Sequence, residues 1–314
     1  MSTILVASTG GHLSELYELA PRMPSLEPPF EWVTFDTPQS RALLAEESVT
    51  WAAYTGQRDW RRVAKNLPLA NRMLDRRQVS RVVTTGAAIA LSFLPLARVK
   101  GIECHYIEGI ARTEGASVTG RILQGVPGLS FYTQWDKWAD DRWRYRGSVF
   151  EKFTVEEAAA TAGDGQIRRV VVMLGTMPYS FRRLVDRLVA ILPPEVEVTW
   201  QVGETPVGDL PIIGHRALPP AELGRAIQEA DVVVGHAGGG SALQVMEAGK
   251  VPVIVPREPV HDEHVDDHQL QLAELLPQLG LAVAARAEEL EWSHLERAVR
   301  RRVKKVDPPV FALG

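Results

Sequence analysis

The chain has 314 residues, of which 45% are hydrophobic and 24% charged, with a formal net charge of −4. These values exclude a disordered or low-complexity chain and leave room for two globular domains. The negative balance gives no overall attraction to nucleic acid, and the single cysteine, Cys104, excludes an internal disulfide framework and suits a reducing compartment.

In chain order, Met1-Ser2-Thr3 passes directly into the apolar run Ile4–Ala7, with no basic segment and long apolar stretch of the secretory kind. Ile4–Ala7 reads as a strand. It leads into Ser8-Thr9-Gly10-Gly11-His12 and then Leu13–Leu19, which has helical character. Strand, glycine pair, helix puts backbone N–H groups and His12 at the carboxyl end of a strand, where open α/β sheets bind ligands. Strand-like runs continue at Glu31–Phe35, Arg81–Thr85 (followed by Gly86), Glu103–Ile107 (followed by Glu108) and Leu129–Thr133, with helical or polar intervals between them. The longest apolar window, Ala87–Ala97, contains a proline and is shorter than the roughly 20 residues of a membrane span.

Residues 154–166 lack β-branched runs and end in Gly-Asp-Gly, which predicts a connection. A second alternation follows at Arg169–Leu174, Glu197–Val202, Ile212–Gly214, Asp231–Val234, Val251–Val255 and Ala282–Ala284. The expected fold is therefore α/β. Two Rossmann-like, doubly wound parallel sheets span residues 1–153 and 168–314, joined through 154–167 and facing each other across a cleft. The terminal stretch Ser293–Val306 reads as a helix with a solvated basic face that packs back on the first domain.

The most informative stretch is 230–256, ADVVVGHAGGGSALQVMEAGKVPVIVP, in which five glycines and His236 lie between two apolar runs. It reads as a βαβ unit whose helix, Ala242–Ala248, is opened by Gly238, Gly239, Gly240 and Ser241. Glycines there remove Cβ atoms so that backbone N–H groups approach a ligand, and the helix N-terminus favours an anion. A tight turn needing positive φ would use one or two glycines; three in a row favour phosphate.

These residues carry a resemblance. Residues 171–176 (VVMLGT), 235–241 (GHAGGGS) and 267–273 (DHQLQLA) resemble the catalytic subunit of the eukaryotic two-subunit enzyme that adds the second GlcNAc to a dolichol-linked sugar. Residues 8–13, 106–108 with 120–123, and 133–135 resemble its membrane-recruiting partner, so the chain looks like a fusion of the two. It is similar, more remotely, to the bacterial transferase that completes lipid II, and the run 263–269 (EHVDDHQ) looks most like bacterial exopolysaccharide members. The resemblance implies a GT-B fold and an inverting, metal-independent glycosyltransferase. That enzyme would move a hexosyl or N-acetylhexosaminyl group from a UDP-sugar to a glycan acceptor, lipid-linked as in the family. No cofactor beyond the UDP-sugar substrate is implied. Donor binding then falls to Gly175, Thr176, His236, Gly238, Gly239, Gly240, Ser241, Gln244, His268 and Gln269 on the second domain, with Gly10, Gly11 and Gly86 on the acceptor side. Two departures stand out: Gln244 replaces the ribose-binding glutamate, and the partner subunit's N-terminal membrane helix has no counterpart.

For the chemistry, negative charge grows on the leaving diphosphate, and the Gly238–Ser241 amides are pre-aimed at it without a metal. The acceptor hydroxyl needs a base, and His12 is the first candidate because imidazole titrates near neutrality. Glu108 is the second, its alternative being a group at a helix start. His261, His264 and His268 with Asp266 and Asp267 invite a metal reading, but a polar loop entering a helix would look the same, and no metal is expected. Residues 60–81 carry seven basic residues and one acid with apolar positions between, so they fit either a surface helix or peripheral contact with the inner face of the cell membrane from the cytoplasm. Of the aromatic residues near 132–145, Trp135 is expected in the core, while Trp138 and Trp143 sit among charges. Two other functions use the same fold: a soluble natural-product glycosyltransferase and a UDP-sugar epimerase.

Overall fold

The computed structural model describes residues 2–56, 59–75, 78–158 and 166–314. It has two compact units, Met1–Val149 with Pro308–Gly314, and Phe150–Asp307.

The first unit runs β1 (Ser2–Ala7), α1 (Gly11–Leu19), β2 (Phe30–Phe35), α2 (Pro38–Leu43), β3 (Ser48–Ala52), α3 (Trp60–Leu74), β4 (Val79–Gly86), α4 (Ala90–Val99), β5 (Glu103–Ile107), α5 (Val118–Leu123), β6 (Ser130–Thr133) and β7 (Trp143–Tyr145). Its sheet has the order β3-β2-β1-β4-β5-β6-β7, and every neighbouring pair is parallel. Strands covered on both faces need continuous apolar runs, which is why Ile4–Ala7 is wholly buried. On one face Val6, Val33, Phe35, Val82 and Tyr106 pack against Ala70, Met73 and Leu74 of α3 and Phe93, Leu94 and Ala97 of α4.

The second unit runs β8 (Phe153–Glu157), β9 (Arg169–Met173), α6 (Arg182–Ile191), β10 (Glu197–Gln201), β11 (Gly214–His215), α7 (Pro220–Glu229), β12 (Val232–His236), α8 (Gly239–Glu247), β13 (Val253–Val255), α9 (His268–Gln278), β14 (Val283–Ala284), α10 (Trp292–Val299) and β15 (Arg301–Lys305). The main sheet has the order β11-β10-β9-β12-β13-β14, again all parallel. Val171, Met173 and Val233 pack on Leu223 and Ile227 of α7 and Val245 of α8.

Several expectations need correction. Residues 154–157, placed in the connection, belong to β8, which is antiparallel to β15; Val155 faces Val303 across that ladder. Residues 159–165 of the expected connection lie outside the described residues. The terminal stretch is helical only to Val299, because β15 takes Arg301–Lys305 into the same ladder. The helix stays with the second unit, and it is residues 308–314 that join the first. There Phe311 is fully buried, its ring 5.8 Å from Tyr132 and its N–H donating to the Arg22 carbonyl at 2.8 Å.

The basic segment 60–81 is no single amphipathic element. α3 ends at Leu74, residues 76 and 77 lie outside the described residues, and β4 begins at Val79. Its apolar residues Met73 and Leu74 belong to the core, with Leu69 packed against it, so that among the described residues of this segment Leu67 is the large apolar side chain left exposed, beside Arg61, Arg62, Lys65 and Arg72. Trp143, expected among charges, is buried against Phe131, Tyr106 and Trp138. No helix of the described residues is long and apolar enough to cross a membrane.

Candidate functional site

Each sheet reverses direction once. In the first, the chain leaves β1 towards β2 and leaves β4 towards β5, so the switch point lies between β1 and β4. In the second it lies between β9 and β12. Ligands of open α/β sheets bind outside the strand carboxyl ends at such points, and all four strands end in a glycine-bearing loop.

In the first unit the two loops are tied together: the Ser8 N–H donates to the Gly86 carbonyl at 2.9 Å, and the Ala87 N–H to Ser8 Oγ at 3.2 Å. Gly10 has φ 87°, a conformation that lets the chain turn sharply into α1 and that side-chain-bearing residues rarely adopt. Its N–H donates to Gln39 Oε1 at 3.0 Å. His12 is the second residue of α1, half-buried, with its carbonyl held by Thr85 Oγ1 at 2.7 Å. The ring lies against backbone. A Cβ added to Gly109 would sit 2.9 Å from His12 Cε1, and one on Gly86 would sit 3.8 Å from it. His12, Gly10, Gly11 and Gly86 are thus gathered around one switch point.

Glu108 is differently placed. It is 1% exposed and accepts from the Ser117 N–H at 2.9 Å, the Gly109 N–H at 3.2 Å and the Tyr106 hydroxyl at 3.3 Å. Ser117 is the N-cap of α5, so of the two readings left open for Glu108 these bonds are those of a group seated at a helix start. Burial pushes its carboxyl upward, opposed by the Ser117 hydrogen bonds. Sequence reasoning missed Glu15. It is 3% exposed and accepts at Oε2 from the Ile110 N–H at 2.9 Å and Gln134 Nε2 at 3.1 Å. The signal was available: an acid among Leu13, Leu16 and Leu19 on the buried face of α1 is a core position that calls for a reason.

In the second unit His236 ends β12 and is wedged between glycines. A Cβ on Gly238 would lie 2.4 Å from His236 Nε2, and one on Gly175 would lie 2.8 Å from Cε1. Gly238 has φ −97°, so glycine is required there for space and not for a positive φ. Burial first, then the neighbouring Arg257 cation, pushes the His236 imidazole down to about 3. It is therefore neutral at pH 7, and its Nδ1 hydrogen is the one able to donate to the Met173 carbonyl at 3.3 Å.

The helix α8 begins at Gly239, three residues earlier than expected, so Gly239, Gly240 and Ser241 form its first turn. No side chain caps it, and the first intrahelical bond runs from the Ala242 N–H to the Gly238 carbonyl at 3.0 Å. The preceding amides of this turn have no helical partner, which makes them donors for an anion. Gln244 lies half-buried one turn further along, three residues from Ser241 and four from Gly240, on the same side of the helix. Thr176 is exposed on the loop after β9.

Arg257 also escaped the sequence reading. Fully buried, it donates from Nη2 to the Leu174 carbonyl at 2.9 Å and the Tyr179 carbonyl at 3.1 Å, and its guanidinium lies 5.3 Å from the Phe181 ring centre. Its backbone N–H donates to Gln269 Oε1 at 3.0 Å. One residue thereby ties the loop after β9 to the start of α9, and Gln269 has its carbonyl oxygen engaged within the protein. Burial pushes the guanidinium down to about 10, which leaves it cationic at neutral pH.

His261, His264 and His268 do not share a helix, because α9 begins only at His268. His261 lies in a separate short turn and Asp267 precedes the helix. His264, Asp266 and His268 do converge, with one ligand-type atom from each within 4.8 Å of the others. Glu263 is committed elsewhere: Arg183 donates to its two oxygens at 2.9 and 2.8 Å.

Residues 170–307 match the glycosyltransferase family 28 C-terminal domain. The human UDP-N-acetylglucosamine transferase subunit ALG13 is 43% identical over 54 residues, 17% of this chain and 4% of that protein. The UDP-N-acetylglucosamine–N-acetylmuramyl-(pentapeptide) pyrophosphoryl-undecaprenol N-acetylglucosamine transferase of Cupriavidus necator is 26% identical over 206 residues, 63% of this chain and 55% of that one. The chain thus spans about half or less of the length of these relatives. Among solved structures, the glycosyltransferase SnogD from Streptomyces nogalater superposes with a TM-score of 0.59 at 17% identity, covering 95% of this chain and 90% of its own. The chain has the GT-B fold of two doubly wound units, and most of the second unit matches the glycosyltransferase family 28 C-terminal domain.

Proposed function

We infer that the chain is an inverting, metal-independent glycosyltransferase that moves a sugar from a UDP-sugar to a glycan acceptor. The observation that carries this reading is the first turn of α8. Glycines bring backbone amides to the switch point of a sheet, where the leaving diphosphate gains charge. The Cupriavidus necator relative, a UDP-N-acetylglucosamine transferase by name, supports uridine as the base and an acceptor carried on a lipid. His12 takes the acceptor hydroxyl's proton as the new bond forms at the anomeric carbon and the diphosphate departs with its electron pair. Gly175, Thr176, Gln244, His268 and Gln269 contact the donor.

The finer assignments rest on the motifs quoted above: a fusion of the two eukaryotic subunit types, work in exopolysaccharide or glycoconjugate assembly, and residence at the cytoplasmic face of the cell membrane. The exposed basic residues of α3 are the surface for such peripheral contact.

A panel of nucleotides and nucleotide sugars tests the reading by thermal shift, because a ligand that binds the folded state raises the unfolding temperature with its affinity. UDP and a UDP-sugar are expected to stabilise; a panel in which only thymidine or guanosine diphosphates do so overturns the uridine assignment. Incubation with donor alone separates the epimerase, which would release an epimer. Turnover is expected to survive chelation, since amides replace a metal's charge. Loss of activity in EDTA, restored by zinc, manganese or magnesium, would instead give the His264–Asp266–His268 cluster a catalytic ion.

A further inference from the structure

Two buried carboxylates grip consecutive backbone amides in the first unit. Glu108 Oε1 accepts from the Gly109 N–H at 3.2 Å, and Glu15 Oε2 accepts from the Ile110 N–H at 2.9 Å. Gln134 braces both, its Nε2 donating to Glu15 Oε2 at 3.1 Å and to the Glu108 carbonyl at 3.2 Å, while its Oε1 accepts from the Val149 N–H at 3.0 Å. The turn so held is the surface that His12 rests on. The point where a Gly109 Cβ would sit is 2.9 Å from His12 Cε1, 3.3 Å from His12 Nδ1 and 3.8 Å from Glu15 Oε2. His12 and Glu15 are three residues apart on α1 and therefore share a helix face.

We propose that Glu15 is a positioning residue for His12, a hydrogen-bond acceptor that fixes the Gly109–Ile110 turn against the imidazole and so sets its orientation. The proposal rests on the reading of His12 as the base. Glu15 does this as a neutral carboxyl. Burial is the main cause that pushes it up to about 8, with the Glu108 charge adding to it and the Ile110 and Gln134 hydrogen bonds opposing. The groups facing it are His12 on its own helix, Glu108 and the Ile110 amide after β5, and Gln134 after β6. The Arg112 cation lies near Glu108 and opposes the rise of that carboxyl.

The sign for stability follows. Glu15 is neutral in the folded chain up to about pH 8 but ionises near 4.5 when unfolded. Its contribution is full below pH 4.5 and is lost as pH rises through 8.

The test uses Glu15→Ala and Glu15→Gln in the full chain. Glutamine keeps an oxygen that can accept both hydrogen bonds; alanine keeps none. Glu15→Ala is expected to lower kcat by about 10–100-fold, the scale of a mispositioned catalytic group, with the Kd for UDP unchanged. Glu15→Gln should return kcat at pH 7 to within about threefold of the wild type, as hydrogen-bonding mimicry requires. Equal losses in the two variants, or none in either, overturn the proposal. Two further readouts do not need the alanine variant to fold. The ¹⁵N shifts of the His12 imidazole should show a second inflection near pH 8 that Glu15→Gln abolishes, and Glu15→Gln should gain thermal stability relative to the wild type between pH 5 and 9. A single His12 inflection in the wild type, or parallel stability curves, sinks the idea. If His12→Ala stays active while the second inflection is present, it is the base assignment that fails and the His12–Glu15 pairing that stands.

Discussion

His12→Ala is expected to lower turnover by about 10²–10⁴, the range lost with a general base. Affinity for UDP should change little, because the amides assigned to the diphosphate belong to α8 in the other unit. In the wild type the rate should fall on the acid side as the imidazole is protonated, and that limb should vanish in the variant. The rival base, Glu108, makes a sharper contrast now than its sequence position allowed. It is 1% exposed with three donors on its carboxyl group, and a Cβ on Gly120 would come within 2.6 Å of its Oε2, so the carboxyl group is held within the fold by its own neighbours. Glu108→Gln is accordingly expected to cost less than His12→Ala. A larger loss in Glu108→Gln, with an acid limb at lower pH, would reverse the assignment.

What was legible in the sequence and what was not divides by physical cause. The strands of the two main sheets are buried on both faces, so β1, β4, β9 and β12 appear as β-branched runs that periodicity finds. β3, with two exposed residues and no fully apolar run, and β15, with the sequence RRVKK, carry no such signal; β15 forms because β8 offers a partner 144 or more residues earlier in the chain. The glycine loops were legible because removing Cβ atoms leaves a mark in composition. The reason for each glycine was not: Gly238 looks like a turn residue and is in fact space for the His236 ring. Arg257 and Glu15 were missed because each is an ionisable residue inside the fold whose partners include backbone groups, and backbone partners leave no pattern of residue types.

The second large effect belongs to that glycine. Gly238→Val places a Cβ 2.4 Å from His236 Nε2, and His236 cannot retreat because Gly175 lies on its other side, where a Cβ would stand 2.8 Å from the ring. The far end of a flexible chain could yield, but His236 is buried at 7% exposure and hydrogen-bonded to the Met173 carbonyl. The backbone at 238 must shift instead, and with it the first turn of α8. A charge-assisted hydrogen bond from an amide to a diphosphate oxygen is worth about 1.5–3 kcal/mol, so losing two lowers UDP affinity by roughly 10²–10⁴-fold. The rest of the second unit should hold, since the β12 ladder to β9 and β13 ends before Gly238. The measurement is UDP titration by calorimetry alongside far-UV circular dichroism. Gly224→Val, where an added Cβ meets nothing within 4 Å, serves as the control for a glycine that is free to change. Normal UDP binding by Gly238→Val with an intact fold would mean that the diphosphate does not sit on the α8 amides, and the donor assignment would have to move to another loop.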